Sequence, residues 1–316
     1  MSNFKAKLRP LKNATYSLIG FLYDYKRYLL YTNWRGLNAV PFREFKAIKL
    51  YHKLEKSLSF KIRNKSSGRG VVKDYFELLS SNEGKKFSFH EAVGIKVVVD
   101  FLEQGEGKKF FEKEALEYFS YAGTDGGVKI LSNSDVTFNG ENYSDSFFYS
   151  RRSIRNYTKD KVPADLITRA VKLAIRTPSV CNRQAWHVYT LQNEALIKKA
   201  LSYQNGNKGF GENVSNLLIL CSDLAAFDVS SERYQHWIDG GMFSMSLVWA
   251  LHSLGISSCC LNWSKDPFDD LAFRNAFNIK PSHSILMMVA IGYPEEEVIV
   301  CDSARSPAQS YITKLG

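Results

Sequence analysis

Beyond residue 160 the chain alternates between two hydrophobic periods, and this alternation limits its possible folds more than any other feature. Helical spacing predicts helices over 164–176, 194–202, 234–254 and 269–277, and apolar runs between them predict strands over 187–192, 216–222, 257–262 and 284–293. Strands and helices mixed in this order imply an α+β fold, with a central mixed or antiparallel sheet flanked by helices. No internal repeat accompanies them.

The first half reads differently. Residues 1–75 hold seventeen Lys/Arg against four Asp/Glu, a net +13, whereas the whole chain is +10, so the remainder is slightly acidic. Basic and aromatic residues recur at helical spacing in TYSLIGFLYDYKRYLLY and FREFKAIKLYHKLEKSLSF, which reads as two helices with an exposed basic face, separated at Pro41. Residues 64–70 read as a loop and 72–79 as a helix. Ser88 with Glu91 three residues later forms a capping-box signature opening a helix to about Glu103. From Gly105 to Ser146 the sequence turns irregular, as a linker or covering arm, with the turn residues Gly123, Thr124, Asp125, Gly126 and Gly127. The expected division is therefore a largely helical, basic extension over 1–146 and a folded domain over 147–316.

Composition excludes several function classes. At 316 residues, with 45% hydrophobic and 23% charged residues, the chain is expected to fold and bury a sizeable core. No apolar run nears the ~20 residues of a membrane span, and the first residues lack the pattern of a cleaved leader. Five cysteines without a CxxC pair, and six scattered histidines, read as reduced thiols in a cytoplasmic protein with no metal site. The vicinal Cys259 and Cys260 alternate faces in an apolar strand, which disfavours a redox disulfide. His52, alone on a basic amphipathic helix, reads as a surface or packing residue. The cationic, aromatic first 75 residues suit either a layer packed on the rest or contact with an acidic polymer or membrane surface. Nucleic acid is not expected, because no binding motif accompanies the charge.

Two segments carry chemistry. Ser150, Arg151, Arg152, Ser153, Ile154 and Arg155, read as lying just ahead of a helix, cluster charge-assisted donors suited to a phosphate, although basic clusters are also common on solvated surfaces. The second segment, Thr177 to Trp186, opens on a helix-stopping Pro178 and displays Ser179, Asn182 and Gln184 ahead of a strand. Such amides and hydroxyls can satisfy the edge of a heterocycle, or simply connect a helix to a strand.

Together, and with their separation of about twenty-five residues, the segments resemble the nitroreductase family of flavin enzymes. The family typically shows Arg-[Arg/His]-Ser-x-[Arg/Lys] and, one helix later, Pro-Ser-x-x-Asn-x-Gln-Pro-Trp. Ala185 stands where proline is usual. Asp239-Gly240-Gly241 through Leu254-Gly255-Ile256 is similar to the long central helix, and Ile291-Gly292-Tyr293-Pro294 with Ala304-Arg305-Ser306-Pro307 resembles the C-terminal strand and phosphate arginine. The resemblance spans about 147–312.

It implies a nitroreductase-like fold and FMN as cofactor. Arg151, Arg152, Ser153 and Arg305 would surround the FMN phosphate. Arg155 would lie near the pyrimidine side of the ring, where a fixed cation favours the anionic reduced flavin. Pro178, Ser179, Val180, Asn182 and Gln184 would approach from the other subunit of a homodimer, since the family binds FMN at a two-fold interface. Leu261, Asn262 and Trp263 fall where many members place a Glu-Gly pair beside flavin N5, so Asn262 joins Arg155 as a candidate for tuning the flavin, and the bulky Trp263 narrows the stacking space. A polar contact from residues 204–208 has too loose a spacing to carry over. The implied activity is hydride transfer from NADH or NADPH through FMN to a small-molecule acceptor. The alternative is a flavin-fold binding or assembly protein with little turnover, its basic arm engaging an acidic polymer or membrane surface.

Overall fold

A computed structural model describes residues 2–36, 40–58, 68–82, 84, 86–105, 108–128, 145–298, 300 and 307–316. The first half contributes α1 (Ser2–Tyr31), α2 (Val40–Leu58), α3 (Arg69–Ser80), α4 (Phe89–Glu103) and α5 (Lys108–Phe119). The second contributes α6 (Ser146–Ser150), α7 (Ala164–Ala174), β1 (Trp186–Leu191), α8 (Glu194–Ser202), β2 (Asn216–Asp223), α9 (Gln235–Ser253), β3 (Ser257–Asn262), α10 (Pro267–Phe277) and β4 (His283–Gly292).

The four strands form one antiparallel sheet in the order β1-β2-β4-β3. The side-chain period of two sorts each strand between two cores. Leu217, Ile219 and Cys221 of β2 meet Ile197 and Leu201 of α8 and Phe273 of α10. Leu218 and Leu220 face the other way, onto Ile167 and Ala170 of α7 and Phe243, Leu247 and Leu251 of α9. β2 is consequently buried along its whole length, which explains a continuous apolar run without polar alternation. Gly240 lets α9 lie close on β4, because a Cβ there would collide with Leu286.

Helices α2 to α5 enclose a separate core that includes Ile48, Leu54, Tyr75, Leu79, Val97, Phe101 and Tyr118. The capping box opens α4 as the sequence predicts: Ser88 Oγ accepts from Glu91 N at 3.3 Å and Glu91 Oε2 accepts from Ser88 N at 2.8 Å. The buried Glu91 also pairs with Arg43 of α2 at 2.6 Å, tying the two helices.

Three expectations are corrected. The stretch predicted irregular from Gly105 contains α5, whose Tyr118 is buried in the core of α2 to α5; turn residues flank it in the sequence, and non-helical backbone at Phe111 interrupts it. Residues 129–144 of that stretch lie outside the described residues. Pro41 does not separate α1 from α2 but sits in the first turn of α2, where its missing N–H costs no helical hydrogen bond. The arginine cluster is not followed directly by a helix: Ser153 and Ile154 extend alongside β3, with a parallel bridge from Ser153 to Ser258.

Helices α1 and α2 pack on the second half of the same chain. Arg27 donates to the carbonyls of Pro281 at 3.1 Å and His283 at 2.9 Å, and Lys49 pairs with Asp228 at 2.7 Å. Phe45 of α2 packs with Val180, Ala185 and Phe227. Outward from α1 point Leu18, Phe21, Leu22, Tyr25 and Leu29, one stripe at helical spacing. Among the described residues no helix is long and apolar enough to cross a membrane, and no cluster of His, Cys, Asp and Glu could hold a metal ion.

His236, in the first turn of α9, is buried against Phe227; burial, aided by the charge of Arg27, pushes its pKa down to about 4. The unfolded chain binds this proton from about pH 6.5 downward. Between the two values the unfolded state therefore holds more protons, and stability falls as pH drops through that window, by roughly 2 to 3 kcal/mol from this residue alone. Denaturant unfolding of His236→Gln across pH 4 to 7 is expected to show a shallower pH slope than the wild type; an unchanged slope would place the titration elsewhere.

Candidate active site

The arginine segment is fixed to one end of α9. Ser150 Oγ lies 2.9 Å from His252 Nε2, and Phe147 and Phe148 pack on Trp249, tilted and edge-on, with ring centroids 5.4 and 5.0 Å away. From that anchor the chain runs beside β3, through Ile154 N to the Ser258 carbonyl at 3.1 Å. Arg151 is half-buried, its guanidinium has no hydrogen-bond partner among the described residues, and its charge reaches Cys260. Arg152 is exposed and caps α6 by donating to the Tyr149 carbonyl. Arg155 is half-buried beside the Cys259 thiol, with Nη1 3.4 Å from the Ser153 carbonyl.

The polar loop is fixed to the other end of α9. Val180 N donates to Asp239 Oδ2 at 3.1 Å, and Gln235 Nε2 holds the other oxygen of that carboxylate at 2.7 Å. Within the loop, Gln184 N donates to Ser179 Oγ at 3.0 Å and Asn182 N to the Ser179 carbonyl at 2.9 Å. Three of four consecutive residues, Cys181, Asn182 and Gln184, have φ of 50°, 53° and 51°. Left-handed backbone is costly for side chains other than Gly and Asn, so such a run persists only where surrounding contacts impose it. Pro178 is exposed, and the half-buried Asn182 amide has no side-chain partner among the described residues.

The chief imposed contact is Arg183, 1% exposed beneath the loop. Its fork grips Glu232 at 2.7 and 2.9 Å, donates to the carbonyls of Ala226 at 2.6 Å and Val180 at 3.2 Å, and lies 4.9 Å over the Phe227 ring. Nothing local in the sequence marks this pair, whose members are forty-nine positions apart. The reading of the loop from its exposed amides passes over the buried cation that shapes it.

A third group lines β3. Cys259 and Leu261 face the core, while Cys260 and Asn262 are exposed on the opposite face. The Leu261 side chain is therefore unavailable to a ligand, which can meet only its backbone. Gln204, whose spacing is too loose to align, proves to be the buried amide that orients Asn262, donating to its carbonyl at 3.0 Å and its Oδ1 at 3.3 Å. Cys260 is an exposed neighbour of Asn262 that period-two alternation makes legible. Trp263 Nε1 donates to Asp270 at 2.7 Å. Arg305 lies outside the described residues.

One chain does not bring the arginine segment and the polar loop together. Their anchors, Asp239 and His252, are separated along α9 by roughly 20 Å at 1.5 Å per residue. They also flank opposite edge strands of the sheet, and β1 and β3 are three strand spacings apart, roughly 14 Å. Along its length α9 exposes Ile238, Met242 and Met245, the last two between the anchors, continuing toward the half-buried Trp249.

Residues 149–208, which contain both segments, match the sequence model of the nitroreductase family. Over those residues the chain is similar to the nitroreductase family. A relative from Archaeoglobus fulgidus, provisionally named NADH dehydrogenase/NAD(P)H nitroreductase, is 28% identical over 153 residues, 47% of this chain and 84% of the relative. The NADH dehydrogenase of Thermus thermophilus is 27% identical over 179 residues, 46% of this chain and 84% of its own. Among solved structures, a nitroreductase with bound FMN from Bacteroides fragilis is 19% identical, with a TM-score of 0.43, covering 54% of this chain and 97% of that one. The family model ends before α9 and β3, so Asn262 and Trp263 lie beyond its match.

Arg183→Ala would strip the buried Glu232 pair of its cation and release the loop that the nitroreductase match includes. Breaking such a pair costs about 3 to 5 kcal/mol. Urea unfolding of the variant is expected to show a loss of that size, and a loss below about 1 kcal/mol would assign the pair a surface role.

Proposed function

We propose that this nitroreductase-like chain is an FMN-dependent oxidoreductase that moves a hydride from NADH or NADPH to a small-molecule acceptor, with each FMN shared by two copies of the chain. The observation that carries the reading is the pair of anchors at opposite ends of α9, with an exposed apolar stripe between them. Two copies of α9 packed antiparallel about a two-fold axis would cover Ile238, Met242 and Met245, and would set the arginine segment of one chain against the polar loop of its partner.

The residues present fit FMN. Arg151 is a half-buried cation with no protein partner among the described residues, and the Asn182 amide on a strained loop is likewise unpaired. Bound FMN supplies a two-electron hydride relay that side chains lack. Arg151, Arg152 and Ser153 would take its phosphate by charge-assisted hydrogen bonds, joined in the sequence reading by Arg305. Arg155 would place fixed positive charge on the pyrimidine side and favour the reduced, anionic form. Pro178, Ser179, Val180, Asn182 and Gln184 of the partner would close the other side. The Leu261 backbone, Asn262 and Trp263 would border the reacting edge, with Gln204 holding the Asn262 amide in place.

Purified chain is expected to be yellow, or to become so on addition of FMN, and anaerobic NADH or NADPH should bleach the flavin band. Arg151→Ala together with Arg155→Ala should weaken FMN binding by about a hundredfold, two charge-assisted contacts at roughly 1.5 kcal/mol each. Colourless protein that takes up no FMN would refute the proposal. Bound flavin that neither nucleotide bleaches would instead favour a binding or assembly role, with the exposed apolar stripe of α1 and its cations facing an acidic polymer or membrane surface.

A further inference from the structure

A polar cluster between α1 and the second half centres on Asp270, in α10, 7% exposed. One carboxylate oxygen accepts from Tyr23 OH of α1 at 2.7 Å and from Arg274 Nε at 2.5 Å. The other accepts from Trp263 Nε1 at 2.7 Å. Burial by itself would push the carboxyl up, but the hydrogen bond and charge of Arg274, with the bonds from Trp263 and Tyr23, outweigh it and hold Asp270 below the ordinary carboxylate range. Tyr23 is pushed up to about 12, first by burial and then by Asp270, so it remains a hydrogen-bond donor.

Packing alone does not fix the indole. Trp263 meets Phe273 on one side, ring centroids 4.6 Å apart, but it also borders a cavity of about 110 Å³ shared with Gly20, Tyr23, Arg27 and Trp237. A ring beside empty space can turn into it unless a directional bond prevents this. Asp270 provides that bond, and α1 helps hold Asp270 in register. Two further tethers brace the helix and the turn: Arg27 binds the carbonyls of Pro281 and His283, and Lys265 binds Asn205 at 3.2 Å and Asp269 at 3.1 Å.

We infer that Tyr23 and Asp270 are positioning residues for the flavin site: helix α1 sets the orientation of Trp263, and through it the shape of the reacting edge next to Asn262, by way of the Asp270 carboxylate. The inference rests on the flavin reading above. It makes the N-terminal helix a working part of its own subunit's site. The coupling is through hydrogen bonds Tyr23 to Asp270 and Trp263 to Asp270, without contact between Tyr23 and the cofactor.

The test is a double-mutant cycle of Tyr23→Phe and Trp263→Phe on the FMN-loaded chain, read by the visible flavin spectrum and the midpoint potential. Tyr23→Phe removes one hydroxyl, and Trp263→Phe keeps an apolar ring without its donor. Each single variant is expected to change the ratio of affinities for reduced and oxidised FMN by about threefold, read as a shift of ~14 mV for a two-electron couple. In the Trp263→Phe background, Tyr23→Phe should add nothing. A Tyr23→Phe flavin indistinguishable from wild type overturns the inference, as does a Tyr23→Phe shift that persists in full without Trp263, or a Trp263→Phe variant that shifts nothing. Wild-type chain that takes up no FMN refutes the flavin reading itself, a failure visible before any variant is compared.

Discussion

Everything proposed for this chain depends on the rigidity of α9. A helix holds its two ends at a distance fixed by its residue count. Here one end carries the polar loop through Asp239 and the other carries the arginine segment through His252. The sheet order reinforces the separation, because the edge strands β1 and β3 receive the loop and the arginines respectively. The two polar segments are thus held at anchors roughly 20 Å apart along α9 within a single chain. The apolar stripe between them offers a way to unite them, by burial against a second copy.

The elements of the second half were legible because each local preference agrees with its neighbours. Strand β3 and helix α8 fall on the residues read from the sequence, and the ends of the others shift by one to two residues. Helix α5 was not legible: its backbone is non-helical at Phe111, and turn residues flank it in the sequence. In the site, the exposed donors were visible as residue types, whereas the buried residues that orient them were not. Arg183 with Glu232, Gln204 with Asn262, and Tyr23 with Asp270 join positions 49, 58 and 247 apart. Hydrogen bonds over such separations leave no periodic trace, because tertiary packing alone brings the partners together.

The N-terminal half also changes meaning once its contacts are known. Its charge left open a layer packed on the rest or contact with an acidic polymer or membrane surface, and Arg27 and Lys49 are engaged with Pro281, His283 and Asp228 of the same chain. Phe45 supports the strained loop from beneath, and Tyr23 reaches the carboxylate that orients Trp263. Two parts of the proposed site therefore lean on helices that precede the matched residues. This physical continuity explains how a site can depend on segments distant from its recognisable motifs.

The most direct test of the shared site is complementation between subunits. One chain would carry Arg151→Ala with Arg155→Ala, and a differently tagged chain Ser179→Ala with Asn182→Ala. Each homodimer alone should retain little FMN. In the heterodimer, one site inherits both sets of defects and the other none, so the account predicts about one tightly held FMN per heterodimer. A heterodimer as empty as either parent would mean that the arginines and the loop serve the same site within one chain, and would contradict the account.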